Sequence, residues 1–159
     1  MGGEGGLDPT VVGAYLADEI DLRTAVGLDD GDLHALRALG HGYLENGRCE
    51  EALVVFEGLA EVDSDSAWAH AALGSAYQGL EQDEEALAAY DEALRIDPGE
   101  MTALVNRGEL RLTAGEADEG IADLACAVAE DPEARDVQAN RARALLEATR
   151  QILESAMGQ

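Results

Sequence analysis

The residues of this 159-residue chain that could do chemistry are three histidines, two cysteines and a dense population of carboxylates. His34 and His41 are seven positions apart, two helical turns and so ~10 Å along a helix axis. They share a face but cannot grip one metal, which wants a spacing of four. His70 has no cysteine or acid at ligand spacing. Asp63 with Asp65, and the group Asp29, Asp30 and Asp32, lack the glycine and glutamate offsets of a calcium loop and read as helix caps and solvated turns. Cys49 and Cys126 form no Cys-x-x-Cys pair and read as free thiols. No nucleophile elbow or Walker loop occurs, and the N-terminal glycines follow no strand. The sequence therefore predicts no enzyme, no metal and no cofactor, and leaves binding as the chemistry to look for.

Charge narrows the partners. All ten basic residues are arginines, against 34 acidic residues, for a net charge of −24. Such a field repels nucleic-acid phosphates and anionic membranes. No apolar run approaches the ~20 residues of a membrane span. No basic-then-apolar leader opens the sequence, and residue 6 is glycine where myristoylation wants Ser or Thr. The expected location is the cytoplasm, and the expected partner is a protein or peptide.

Any binding face needs elements to carry it, and a repeat supplies them. From Ala67 to Glu100 the landmarks are Leu73-Gly74, Tyr77, Ala86, Tyr90, Ala93 and Pro98. Thirty-four residues earlier stand Leu39-Gly40, Tyr43, Ala52, Phe56, Leu59 and Ser64. Thirty-four later stand Arg107-Gly108, Arg111, Gly120, Leu124, Ala127 and Pro132, where about half the pattern survives. The same register puts Gly47, Glu81 and Gly115 at the turn inside each unit. Few prolines and abundant Ala, Leu and Glu make the units helical. The spacing predicts helices over 32–46, 49–61, 67–80, 84–96, 101–114 and 117–129, then a long helix over 134–156. Asp8-Pro9 predicts a helix start, with that helix running to Val26 and a linker over 27–32.

This 34-residue pattern resembles the tetratricopeptide repeat. The resemblance implies an all-α solenoid of three helix-turn-helix units, 33–66, 67–100 and 101–134. Flanking it are a flexible glycine-rich tail (1–7), an N-terminal helix and linker (8–31) and a C-terminal capping helix (135–159). In that pattern the eighth-position glycine lets the paired helices approach, the twentieth-position alanine packs on it, and the twenty-fourth-position aromatic fills the gap to the next unit. Arg107, Arg111 and Gly120 depart from it. The first helix of each unit lines an inner face, which implies a peptide groove of His34, Arg37, His41 and Leu44 from the first repeat. Trp68, Ala71, Ser75 and Gln78 follow from the second, and Thr102, Val105, Glu109 and Leu112 from the third. Trp68, the only tryptophan, is a natural anchor for a guest, or it packs against the neighbouring repeat. Residues 135–159 carry four arginines against three acids, a net +1 after a body of −25, which suits a cap or a partner-binding helix.

Read together, the run from Leu39 to Arg48, then Glu51-Ala52, Val55-Phe56-Glu57-Gly58-Leu59, Leu73-Gly74 with Tyr77-Gln78, Glu85-Ala86 with Tyr90, Glu109 and Gly115, is similar to the LcrH/SycD family. These are class II chaperones of type III secretion systems. The resemblance implies a cytoplasmic chaperone whose groove holds a segment of a hydrophobic translocator before export. A general scaffold joining proteins in another complex is the alternative. The family's use of its N-terminal helix implies Val12, Tyr15, Leu16 and Ile20 as candidate homodimer contacts, or as residues docked on their own array.

Overall fold

The structure, a computed structural model, describes Thr10, Ala14 and residues 22–157. Those residues form eight helices and no strand. They are α1 (Leu22–Val26), α2 (Asp30–Glu45), α3 (Cys49–Val62), α4 (Ala67–Gly79), α5 (Asp83–Ile96), α6 (Met101–Ala114), α7 (Ala117–Glu130) and α8 (Val137–Met157). Most of the predicted N-terminal helix, with Val12, Tyr15, Leu16 and Ile20, lies outside the described residues. Helices α2/α3, α4/α5 and α6/α7 are successive hairpins stacked on one another, and α8 packs on α6 and α7.

Capping chemistry sets the boundaries and corrects two of them. The predicted linker 27–32 ends early, because Asp29 caps α2 through the backbone N–H of Asp32 at 2.9 Å while the Asp32 carboxylate accepts from the Asp29 N–H. This reciprocal box draws Asp30, Gly31 and Asp32 into the first turn. The last helix starts at Val137 rather than 134: Ala134 takes φ +57°, and Asp136 accepts from the N–H groups of Gln138 and Ala139. Inside the hairpins the turn residues Gly47, Glu81 and Gly115 take φ of +71°, +59° and +86°. The register is structural: two positions use the residue that tolerates this geometry, and Glu81 adopts it at a cost.

The core is thin and alanine-rich, with Tyr90, Phe56, Leu59, Leu124 and Val105 as its largest fully buried side chains. The eighth-position glycine has a sharper role than pattern reasoning gave it. A Cβ on Gly40 would lie 2.5 Å from the Phe56 ring, and one on Gly74 would lie 2.5 Å from the Tyr90 ring. The glycine seats the aromatic of its own repeat. In the third repeat Leu124 replaces the aromatic, and Gly108 and Gly120 face one another so closely that a Cβ on Gly120 would be 2.8 Å from the Gly108 carbonyl oxygen. Gly120 is therefore part of a tighter hairpin, into which Leu112 packs.

Arg107 and Arg111 are likewise compensated. Arg107 donates to Asp123 from Nε (2.9 Å) and Nη2 (2.6 Å) and to Asp91 from Nη1 (2.6 Å), and Arg111 donates to Asp123 at 2.8 Å. The Asp123 side chain is 8% exposed and that of Arg107 16%. Burial works against the Arg107 charge, yet its bonds to Asp123 and Asp91 raise its pKa above the ordinary value.

Candidate functional site

The twelve predicted groove residues divide into two groups. At the first-to-second repeat junction an aromatic shelf forms. The Trp68 ring lies 5.4 Å from His41 and 5.9 Å, edge-on, from Phe56, with His41 5.9 Å from Phe56. Arg37 stacks its guanidinium on Trp68, 4.7 Å from the ring centroid, and pairs with Asp63 at 3.4 Å. Trp68 thus packs on the preceding repeat and remains partly open, so its two readings are compatible. His34 and His41 are exposed, and Arg37 and Leu44 are half-buried.

In the second group two residues are buried and the rest are half-buried, several of them bonded within the array. Ala71 and Val105 are buried core residues and offer no surface to a guest, which corrects their place in the groove. Ser75 and Gln78 serve Tyr90, whose hydroxyl donates to Gln78 Oε1 at 2.8 Å and lies 3.4 Å from Ser75 Oγ. Asn106 Nδ2 donates to the Tyr90 oxygen at 3.1 Å and to Ser75 Oγ at 3.2 Å. Burial pushes the Tyr90 pKa up to about 12, although the bonds with Ser75 and Asn106 act the other way. From α8, Arg141 donates to Asn106 Oδ1 at 2.9 Å and forms an ion pair with Glu109. Thr102 and Leu112 are half-buried. The C-terminal helix is thereby latched to α6, and its in-register Ala142 is fully buried where the repeats carry Gly40, Gly74 and Gly108.

Sequence reasoning missed Asn106, Tyr90 and Arg141 as one polar chain. Tyr90 was visible as the repeat aromatic. Nothing in a 34-residue period announces an arginine 35 positions past Asn106. Of the twelve, His34 and His41 are exposed, Ala71 and Val105 are buried, and the other eight are half-buried. Among the described residues no group of three His, Cys, Asp or Glu side chains could hold a metal ion.

Residues 43–108 match the family model of the tetratricopeptide repeat. The array is a tetratricopeptide-repeat fold. Among solved structures, a type III secretion complex from Aeromonas hydrophila aligns with a TM-score of 0.75 at 23% identity, covering 92% of this chain and 99% of that one. The type III secretion translocator chaperone SycD of Yersinia enterocolitica aligns at 0.71 and 23%, covering 80% and 89%. At these identities the likeness is one of fold. PcrH, in complex with the chaperone-binding region of PopD, aligns at 0.70 and 29%, covering 79% of this chain and 96% of PcrH. Curated protein sequences give no match. Among the described residues no helix is long and apolar enough to cross a membrane.

Proposed function

We propose that this tetratricopeptide array is a cytoplasmic chaperone of a type III secretion system, which holds an extended segment of a hydrophobic translocator on its inner face until export. The observation that carries the reading is the overlay of 79% of this chain on PcrH, a protein captured with the chaperone-binding region of PopD. The site chemistry agrees. Trp68 and Leu44 offer apolar area, while Arg37 and the exposed His34 and His41 can bond a guest backbone. Masking is the mechanism: guest side chains seated on the shelf are withheld from aggregation and from membranes. Homodimerisation through Val12, Tyr15, Leu16 and Ile20 belongs to the same reading and is tested by sedimentation of the Tyr15→Asp variant.

Trp68 is the sole tryptophan, so its emission reports occupancy of the shelf directly. The decisive experiment pairs that titration, using a peptide of the chaperone-binding region of PopD, with calorimetry on Trp68→Ala/Leu44→Ala. The double variant loses about 2 kcal/mol or more of binding. Unchanged affinity removes the inner-face assignment. A general scaffold is separated by co-expression: a chaperone keeps an otherwise insoluble client in solution, whereas a scaffold binds only folded partners.

A further inference from the structure

A cleft of about 550 Å³ lies between α3 and α4, away from the inner-face residues, with Val54, Gly58, Ala60 and Leu73 as apolar lining and Glu57, Glu61 and His70 beside them. The next junction of the array carries the same feature one period on, a cleft of about 390 Å³. The two can be compared position by position at the 34-residue spacing. Glu57 becomes Asp91, Glu61 becomes Arg95, and Leu73 becomes Arg107. In the second cleft Arg107 donates to Asp91 and Arg95 pairs with Glu92, so acids and cations are matched. In the first, an uncharged leucine stands where that arginine would be. Among the described residues no cation pairs with Glu57 or Glu61; Glu57 receives only the Tyr77 hydroxyl at 3.3 Å.

Apolar surface is exposed at the same place. Val54 is 68% exposed, and Gly58 has nothing within 4 Å of where a Cβ would sit. The first junction is therefore an open apolar seat rimmed by two carboxylates with no ion-pair partner among the described residues, on a body of net charge −25. The repeat next door shows which cation such a rim accepts.

We propose that this cleft is a second protein-docking site, distinct from the Trp68 shelf, for a segment that carries an arginine beside an apolar residue. The guanidinium bonds Glu57 as Arg107 bonds Asp91, and Glu61, which stands at the position of Arg95, supplies the second carboxylate. The apolar neighbour covers Val54 and fills the space left by Gly58. A bidentate arginine is favoured over lysine, because the planar fork matches carboxylate geometry.

The test uses the acetylated, amidated peptide Leu-Arg-Val and its Leu-Gln-Val control, followed by amide NMR shifts of the intact protein. Saturable shifts confined to α3 and α4, with the glutamine peptide about tenfold weaker, are expected. Glu57→Gln/Glu61→Gln reduces arginine-peptide binding to the level of the control. Leu73→Arg supplies the cation in cis, abolishes peptide binding and leaves Trp68 emission unmoved. Glu84→Gln/Glu119→Gln removes the same charge elsewhere; an equal loss there reduces the effect to bulk attraction and overturns the proposal. Equal binding of the two peptides, shifts centred on Trp68, or no saturable binding overturns it as well. A failure of the inner-face experiment leaves this outcome untouched, because the two sites share no residue.

Discussion

The third repeat places two arginines where its neighbour has a leucine and a tyrosine, and Asp123 is what makes them tolerable. Asp123→Ala tests this. The substitution removes three of the four close hydrogen bonds of the cluster, two from Arg107 and one from Arg111, and leaves Asp91 as the remaining acceptor. Stripping one partner from a fully buried pair costs about 3–5 kcal/mol. Here the arginine side chains are 16% and 23% exposed, and Asp91 still balances part of the charge, so the expected loss is about 2–3 kcal/mol. The preceding repeat shows how to repair it. Leu73, Tyr77 and Ala89 stand at the positions of Arg107, Arg111 and Asp123. Arg107→Leu/Arg111→Tyr/Asp123→Ala should return to within about 1 kcal/mol of the parent, since apolar replacement of a buried ion cluster is often neutral or stabilising. Urea unfolding followed by far-ultraviolet circular dichroism gives both values, with the m-value checking that the array still unfolds as a unit. A single variant within about 0.5 kcal/mol of the parent, or a triple variant less stable than the single one, refutes the argument that burial and charge compensation are coupled here.

Three further outcomes follow from the packing. Gly74→Ala drives a methyl into the Tyr90 ring and should cost about 1–3 kcal/mol in the same assay. Glu81→Gly relieves a left-handed non-glycine residue and should stabilise by about 0.5–1 kcal/mol, after subtracting the entropy glycine adds to the unfolded chain. Because the Tyr90 pKa is raised from 10.0 to about 12, its hydroxyl loses its proton more readily in the unfolded chain. The stability this contributes is complete below pH 10 and is lost as pH rises through 12, by roughly 2–3 kcal/mol. Tyr90→Phe should flatten that slope between pH 10 and 12, at a neutral-pH cost of about 1–2 kcal/mol from orphaning Gln78 and Asn106.

The sequence alone determined the period, the helix pairs and the turn register, because those depend on interactions within one unit. An aromatic needs a glycine opposite it, a tight turn needs a positive φ, and 34 residues separate each such demand from its copy. What only the tertiary structure decided is which of the predicted groove residues are buried or bonded within the array. Ala71 and Val105 read the same as Leu44 along a helix, yet their neighbours bury them. Ser75 and Gln78 look like peptide ligands until Tyr90 and Asn106 claim them. The compensation of Arg107 by Asp123 was hidden as well, since the two are 16 residues apart on different helices. The physical reason is one of range. Periodic patterning records each residue's own helix, whereas a side chain's availability is set by partners on other helices, whose identities the period does not constrain.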